Sequence, residues 1–177
     1  MTMLENIVMV IIRFFVHPFP DNKPVDFKTY IRSVKHILII CPYGEKEKSF
    51  GVSIDQFVNL FPNTKHTIIY PEKFYSDTIK NINVATSSPV HTKYSPWKLF
   101  NSAIKSLTLA DIDLLLDLDP HFSLLSIYLC RLIQPEVRIC LSKKESQHFY
   151  NLQFKGKGYS PYPEKRFNLF QLLRSWV

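Results

Sequence analysis

Four short, mostly apolar runs of strand length constrain this chain more than any other feature of it. They are Ile37–Cys41 (ILIIC), residues 66–71 (HTIIYP), residues 112–118 (IDLLLDL) and Val137–Leu141 (VRICL). A half-exposed strand alternates apolar and polar residues. A continuous run of strand length belongs instead to a strand covered on both faces, as in a parallel sheet. Between the runs lie segments of helical period. Val52, Ile54, Phe57, Val58, Leu60 and Phe61 recur at that spacing, with Ser49 or Ser53 as cap and Pro62-Asn63 as stop. In residues 97–109, Leu99, Phe100, Ala103, Ile104 and Leu107 share one face, and Ser95 stands as cap before Pro96. HFSLLSIYLCRLI (121–133) predicts a largely buried helix broken by Pro135, and Phe167, Phe170, Leu173 and Trp176 fall at helical spacing near the end. A short helix over 72–80, a short strand over 82–86 and a loop over 87–96 complete the pattern. Such alternation predicts an α/β fold: a single Rossmann-like open parallel sheet with right-handed crossovers and helices on both faces.

The stretch before the first strand has a different character. Residues 3–16 (MLENIVMVIIRFFV) form an apolar helix interrupted by Arg13 and ended by Pro18. It is too short for a span of about 20 apolar residues, so it either packs on the domain or lies in a membrane interface. Residues 17–30, with Pro18, Pro20 and Pro24, are expected to be an extended connection. The expected organisation is therefore a helix and Pro-rich connection over 1–35 and one domain over 36–177. A length of 177 residues suits one domain, and 46% hydrophobic residues suffice for a core.

The net charge of +7 is concentrated. Residues 136–177 carry eight Lys or Arg against three Asp or Glu, whereas residues 101–135 carry two against four. A basic surface suits phosphorylated glycans, membrane surfaces or nucleic acid, and equally a merely solvated face. Cys41, Cys130 and Cys140 form no C-x-x-C pair, and the first and last sit in strand-like runs, as buried, reduced thiols of a cytosolic protein do. Neither G-x-x-x-x-G-K-[ST] nor G-x-G-x-x-G occurs, which argues against an ATPase and a standard dinucleotide enzyme. No metal-ligand cluster is found, and no cofactor is implied.

Open α/β sheets take ligands at the carboxyl ends of their strands. That rule selects the loop Pro42–Ser49, with Gly44, Glu45, Lys46, Glu47 and Lys48, and the segment holding Asp117, Asp119, His121 and Ser123. Asp117 and Asp119 share one side of an extended chain, a weak metal or acid/base pattern with His121; the simpler expectation is that Asp119 caps the following helix. Arg138, Lys143, Lys144 and His148 belong to or follow the last run and suit a phosphate at the sheet edge, or surface solvation.

The order of these pieces resembles the N-terminal domain of glycosyltransferase family 9, the lipopolysaccharide heptosyltransferases. The residues that carry the resemblance are ILII followed by a helix ending Leu60-Phe61-Pro62-Asn63, IIYPEKF (68–74), ADIDLLLDLDP (110–120), LLSIYLCRLIQPEVRICLS (124–142) and the closing PEKRFNLFQLL, over roughly residues 36–174. The resemblance implies one half of a two-domain glycosyltransferase-B-type fold, the half that holds the acceptor. Where the family has a Gly-Asp pair after the first strand, whose Asp is the proposed base, this chain has Gly44-Glu45. The implied roles are therefore proton removal from a hydroxyl by Glu45 or Glu47, and contact with an anionic sugar or phosphate through Lys46 and Lys48. The chain ends where the sugar-nucleotide domain would begin, which implies no activity alone and a separate nucleotide-sugar-binding chain as partner. The expected acceptor is an anionic glycan or glycolipid. The expected location is the cytoplasm, with peripheral contact at the inner membrane through residues 3–16. A non-catalytic binding or scaffold module that kept the fold and lost the site is the alternative. Nucleic acid is disfavoured because no recognition motif accompanies the charge.

Overall fold

The computed structural model describes residues 25–42, 54, 56–69, 111–121, 123–143, 146–155 and 161–177. Its framework is a five-stranded parallel sheet among those residues: β1 His36–Ile40, β2 Lys65–Ile69, β3 Leu114–Asp117, β4 Val137–Leu141 and β5 Leu152–Phe154. The strand order is β2-β1-β3-β4-β5. Pairing is in register, with Ile37 opposite both His66 and Leu114, and Leu114 opposite Val137. The three central strands are buried along their whole length, which is why their sequences are mostly apolar and do not alternate with exposed polar residues.

Each face of the sheet has its own core. Ile37, Ile39 and Cys41 pack on one side with Leu116, Ile139, the helical residues Ile54, Phe57 and Val58, and Leu169 and Leu173 of the last helix. Leu38 and Ile40 pack on the other with Leu115, Cys140, and Ile127, Leu129 and Cys130. The period of two along β1 therefore sends neighbouring residues into opposite layers, and helices cover both faces as expected.

The expected extended connection turns helical at its end. Helix α1 runs Phe27–Ser33, capped by Asp26, whose side chain accepts from the Lys28 and Thr29 amides. Phe27, Tyr30, Ile31 and Val34 stand at helical spacing, and Ile31 and Val34 enter the same core as the sheet. The prolines stop at Pro24, before the cap, so they leave this helix intact. Helix α2 runs Leu124–Ile133 and is capped by Ser123, whose hydroxyl accepts from the Ser126 amide. It ends at Gln134, a left-handed cap with φ 49 whose amide donates to Cys130 O, and Pro135 beyond it cannot continue the helix.

Helix α3 runs Tyr162–Arg174. Its buried line is Arg166, Leu169 and Leu173, while Phe167, expected on the inner face, is 49% exposed. Phe170 packs edge-on to Phe57, and Trp176 stacks on Phe27. Strand β5 was not expected; its three half-buried residues are too few for a period to show. The expected elements over 3–16, 72–80, 82–86 and 97–109 lie outside the described residues, as does the loop over 87–96. Among the described residues, no helix is long and apolar enough to cross a membrane.

Candidate functional site

In the order β2-β1-β3-β4-β5, chain connectivity reverses direction between β1 and β3. Open α/β sheets as a class take ligands beside such a point, at the adjacent carboxyl ends. The residues at this point are Cys41 and Pro42 after β1, and Asp117, Leu118 and Asp119 at the end of β3. The Cys41 amide donates to Ile69 O at 2.9 Å and the Leu118 amide to Ile40 O at 2.9 Å, so both chains still follow the sheet.

Asp117 is fully buried at the tip of β3. Its Oδ2 accepts from the Lys143 ammonium at 2.7 Å and from the Tyr150 hydroxyl. Its Oδ1 accepts from the Asp119 amide at 2.9 Å. Lys143 Nζ also donates to Asp119 O at 3.0 Å and His121 O at 3.2 Å, and lies 5.5 Å from the centre of the Tyr150 ring. Burial pushes the Tyr150 hydroxyl well above its ordinary pKa, and the charge on Asp117 adds to that effect. The backbone of Lys143 is itself held: the Ser146 hydroxyl lies 2.6 Å from Lys143 O and 2.8 Å from Gln153 Oε1. The 3-10 turn Ser146–His148 and strand β5 thus fix the base of the lysine.

Asp119 does not cap a helix; Ser123 does. Its Oδ1 accepts instead from the His121 amide at 2.8 Å, closing a turn after β3. At 1% exposure it loses hydration, and this raises its carboxyl to about 6 despite the His121 hydrogen bond. A carboxyl at that value exchanges a proton near neutral pH, which suits acid–base chemistry. His121 is exposed, with its ring 6.0 Å from that of Tyr162 at the start of α3. Lys165 Nζ lies 5.2 Å from the same Tyr162 ring. One turn further along the helix, Arg166 is 1% exposed. Burial raises the Cys41 thiol well above its usual pKa; the Arg166 charge opposes this, while Asp117 and Asp119 reinforce it.

The structure thus brings Asp117, Asp119, His121 and Lys143 together. It sets Arg138 apart: near the start of β4, its Nε donates to Phe149 O at 2.8 Å and its Nη1 to Pro135 O at 2.6 Å. His148 lies in the 3-10 turn, its ring 6.4 Å from that of Phe149. Gly44, Glu45, Lys46, Glu47, Lys48 and Lys144 lie outside the described residues. Among the described residues, no three His, Cys, Asp or Glu side chains gather as a metal ion would require. Sequence reasoning missed Tyr150, Ser146 and Arg166. Only Arg166 had a local signal, a charge spaced with Leu169 and Leu173 on a buried helical line.

Among solved structures, this fold is similar to that of E. coli heptosyltransferase WaaC. The complex with ADP matches with a TM-score of 0.54 at 14% identity, covering 77% of this chain and 46% of that one. The complex with ADP-2-deoxy-2-fluoro heptose matches with a TM-score of 0.54 at 13% identity, covering 80% and 49%. This chain therefore spans about half the length of the structures it matches. Identity at this level makes the likeness one of fold. No protein-family model matches the chain, nor does any curated protein sequence.

Proposed function

We propose that this chain is the acceptor-side half of a heptosyltransferase-like glycosyltransferase in cell-envelope glycan synthesis. The observation that carries the reading is a heptosyltransferase-like fold over 77% of this chain that accounts for only 46% of the matched enzyme. Transfer then needs a second body, which carries the sugar nucleotide and closes the site against water. In this reading an anionic glycan or glycolipid lies at the carboxyl ends of β1 and β3. Lys46 and Lys48 meet its phosphate or acidic sugar, and Glu45 or Glu47 takes the proton of the attacking hydroxyl. The basic stretch 136–177 supports an anionic acceptor, and residues 3–16 supply the contact with the inner membrane at its cytoplasmic side.

The cluster at β3 favours a second reading, a binding or scaffold module without catalysis. Asp117 has its oxygens engaged by Lys143, Tyr150 and the Asp119 amide. The most deeply buried carboxylate at the switch point is therefore committed to holding the chain.

Ligand-detected NMR on the purified chain separates the two. Saturable binding of a phosphorylated inner-core lipopolysaccharide fragment, with no binding of ADP-heptose, is the result expected of an acceptor half. That binding should fall at least tenfold in a Lys46→Ala, Lys48→Ala double variant. If neither compound binds, the acceptor reading fails and the module reading stands.

A further inference from the structure

The Lys143 ammonium has three protons, and three oxygens meet it: Asp117 Oδ2 at 2.7 Å, Asp119 O at 3.0 Å and His121 O at 3.2 Å. The acceptors come from alternate residues of one short segment. One carboxylate balances the charge, and two main-chain carbonyls turn inward beside it. Hard cations are held by such mixtures of carboxylate and carbonyl oxygens in protein loops. Here the cation is tethered: the lysine side chain is 3% exposed, and its backbone is fixed by Ser146. The turn is closed a second time from within, by the Asp119 amide on Asp117 and the His121 amide on Asp119. The group left exposed on this double-braced turn is His121, beside Tyr162.

We propose that Lys143 is a built-in cation that folds the 117–121 turn, and so a positioning residue that holds His121 for an anionic ligand at the carboxyl end of β3. The ligand clause rests on the acceptor-side reading above; the positioning role does not. The two carbonyls satisfy the remaining protons of the buried ammonium and at the same time tie it to residues 119 and 121 of the turn.

The test is histidine-ring NMR on the full chain for wild type, Lys143→Arg and Lys143→Met. Methionine keeps much of the stem volume and removes the charge. The expected result is that the Met variant shifts the His121 ring resonances, leaves those of His36 and His66 at the far end of the sheet in place, and weakens binding of the phosphorylated fragment at least tenfold. The Arg variant should restore part of both. Unmoved His121 resonances in the folded Met variant would overturn the proposal. Should the variants not fold, amide hydrogen exchange in the wild type decides: slow exchange at Asp119 and His121 supports the braced turn, and exchange at random-coil rates overturns it. If the His121 resonances shift as expected but the wild type binds no fragment, the positioning role stands while the ligand clause and the acceptor reading fall together.

Discussion

The two ends of the sheet solve the same problem in different ways. Both must bury polar groups where strands begin or stop. At the amino end, side chains bond mostly to main-chain groups of segments distant in sequence. Asp113, just before β3, accepts from the Lys35 and His36 amides at 2.8 and 2.9 Å, and the Tyr30 hydroxyl donates to Asp113 O at 3.0 Å. His36 bridges Thr67 Oγ1 at 2.8 Å and Asp111 O at 3.1 Å. His66 is the exception: at 1% exposure, neither ring nitrogen finds a hydrogen-bond partner among the described residues. At the carboxyl end the solution is a side-chain network, in which Lys143, Tyr150 and Ser146 reach across from later parts of the chain to hold the tip of β3. The amino end aligns strands. The carboxyl end fixes the turn after β3, and a ligand-binding edge needs that kind of preorganisation.

The largest expected effect comes from cutting the carboxyl-end network. Lys143→Ala strands a fully buried carboxylate, and removing one partner of a buried pair costs about 3–5 kcal/mol. Denaturant unfolding should show a lower midpoint with little change in slope. Its amino-end counterpart, Asp113→Ala, removes two hydrogen bonds to a charged acceptor, for a loss of about 2–3 kcal/mol. A cost equal to or above that of Lys143→Ala would mean that the amino end is the stronger brace.

The two ends should also respond oppositely to pH. Burial, with the nearby His36 charge, lowers His66 to about 4 from 6.5. Between those values the unfolded chain holds more protons than the native one, so this site contributes stability that is lost as pH falls from about 6.5 to about 4. The amount is on the order of 2–3 kcal/mol. His66→Leu should remove that slope, as read from urea midpoints at pH 7 and pH 4.5. Asp119, raised to about 6 from 3.8, has the opposite sign. There the native chain holds more protons, so stability is lost as pH rises from about 4 to about 6. Asp119→Asn keeps an oxygen for the His121 amide and should stabilise the chain at pH 7 by about 2 kcal/mol. A loss of stability at pH 7 would show that the Asp119 charge is compensated better than its burial implies. The smallest effect is expected far from both ends. Phe167→Ser on the exposed side of α3 should change stability by less than about 0.5 kcal/mol.

Much of the sheet was legible because burial on both faces leaves a mark in the sequence itself. Ile37–Cys41 and Val137–Leu141 could be placed within a residue, since a strand covered on both faces is apolar along most of its length. Helix α1 carried a readable pattern in Phe27, Tyr30, Ile31 and Val34, which the neighbouring prolines obscured. The buried face of α3 was misjudged because Phe167 fits an apolar pattern as well as Arg166 fails it; only the neighbours decide which one is covered. Of the candidate site, Asp117, Asp119, His121 and Lys143 could be selected from a general rule about strand ends, but their roles could not.

By itself, the sequence determined the α/β class, the central strands and the edge where polar residues collect. Each of these follows from local periodicity and from where apolar runs stop. Only the tertiary structure decided that Ser123 rather than Asp119 caps α2, that Arg138 turns to Phe149 and Pro135, and that Lys143 reaches back to the tip of β3. The last of these depends on residues that meet across 22 to 26 positions of chain. A charged side chain takes its role from the oxygens within about 3 Å of it, and no spacing along the sequence specifies that distance.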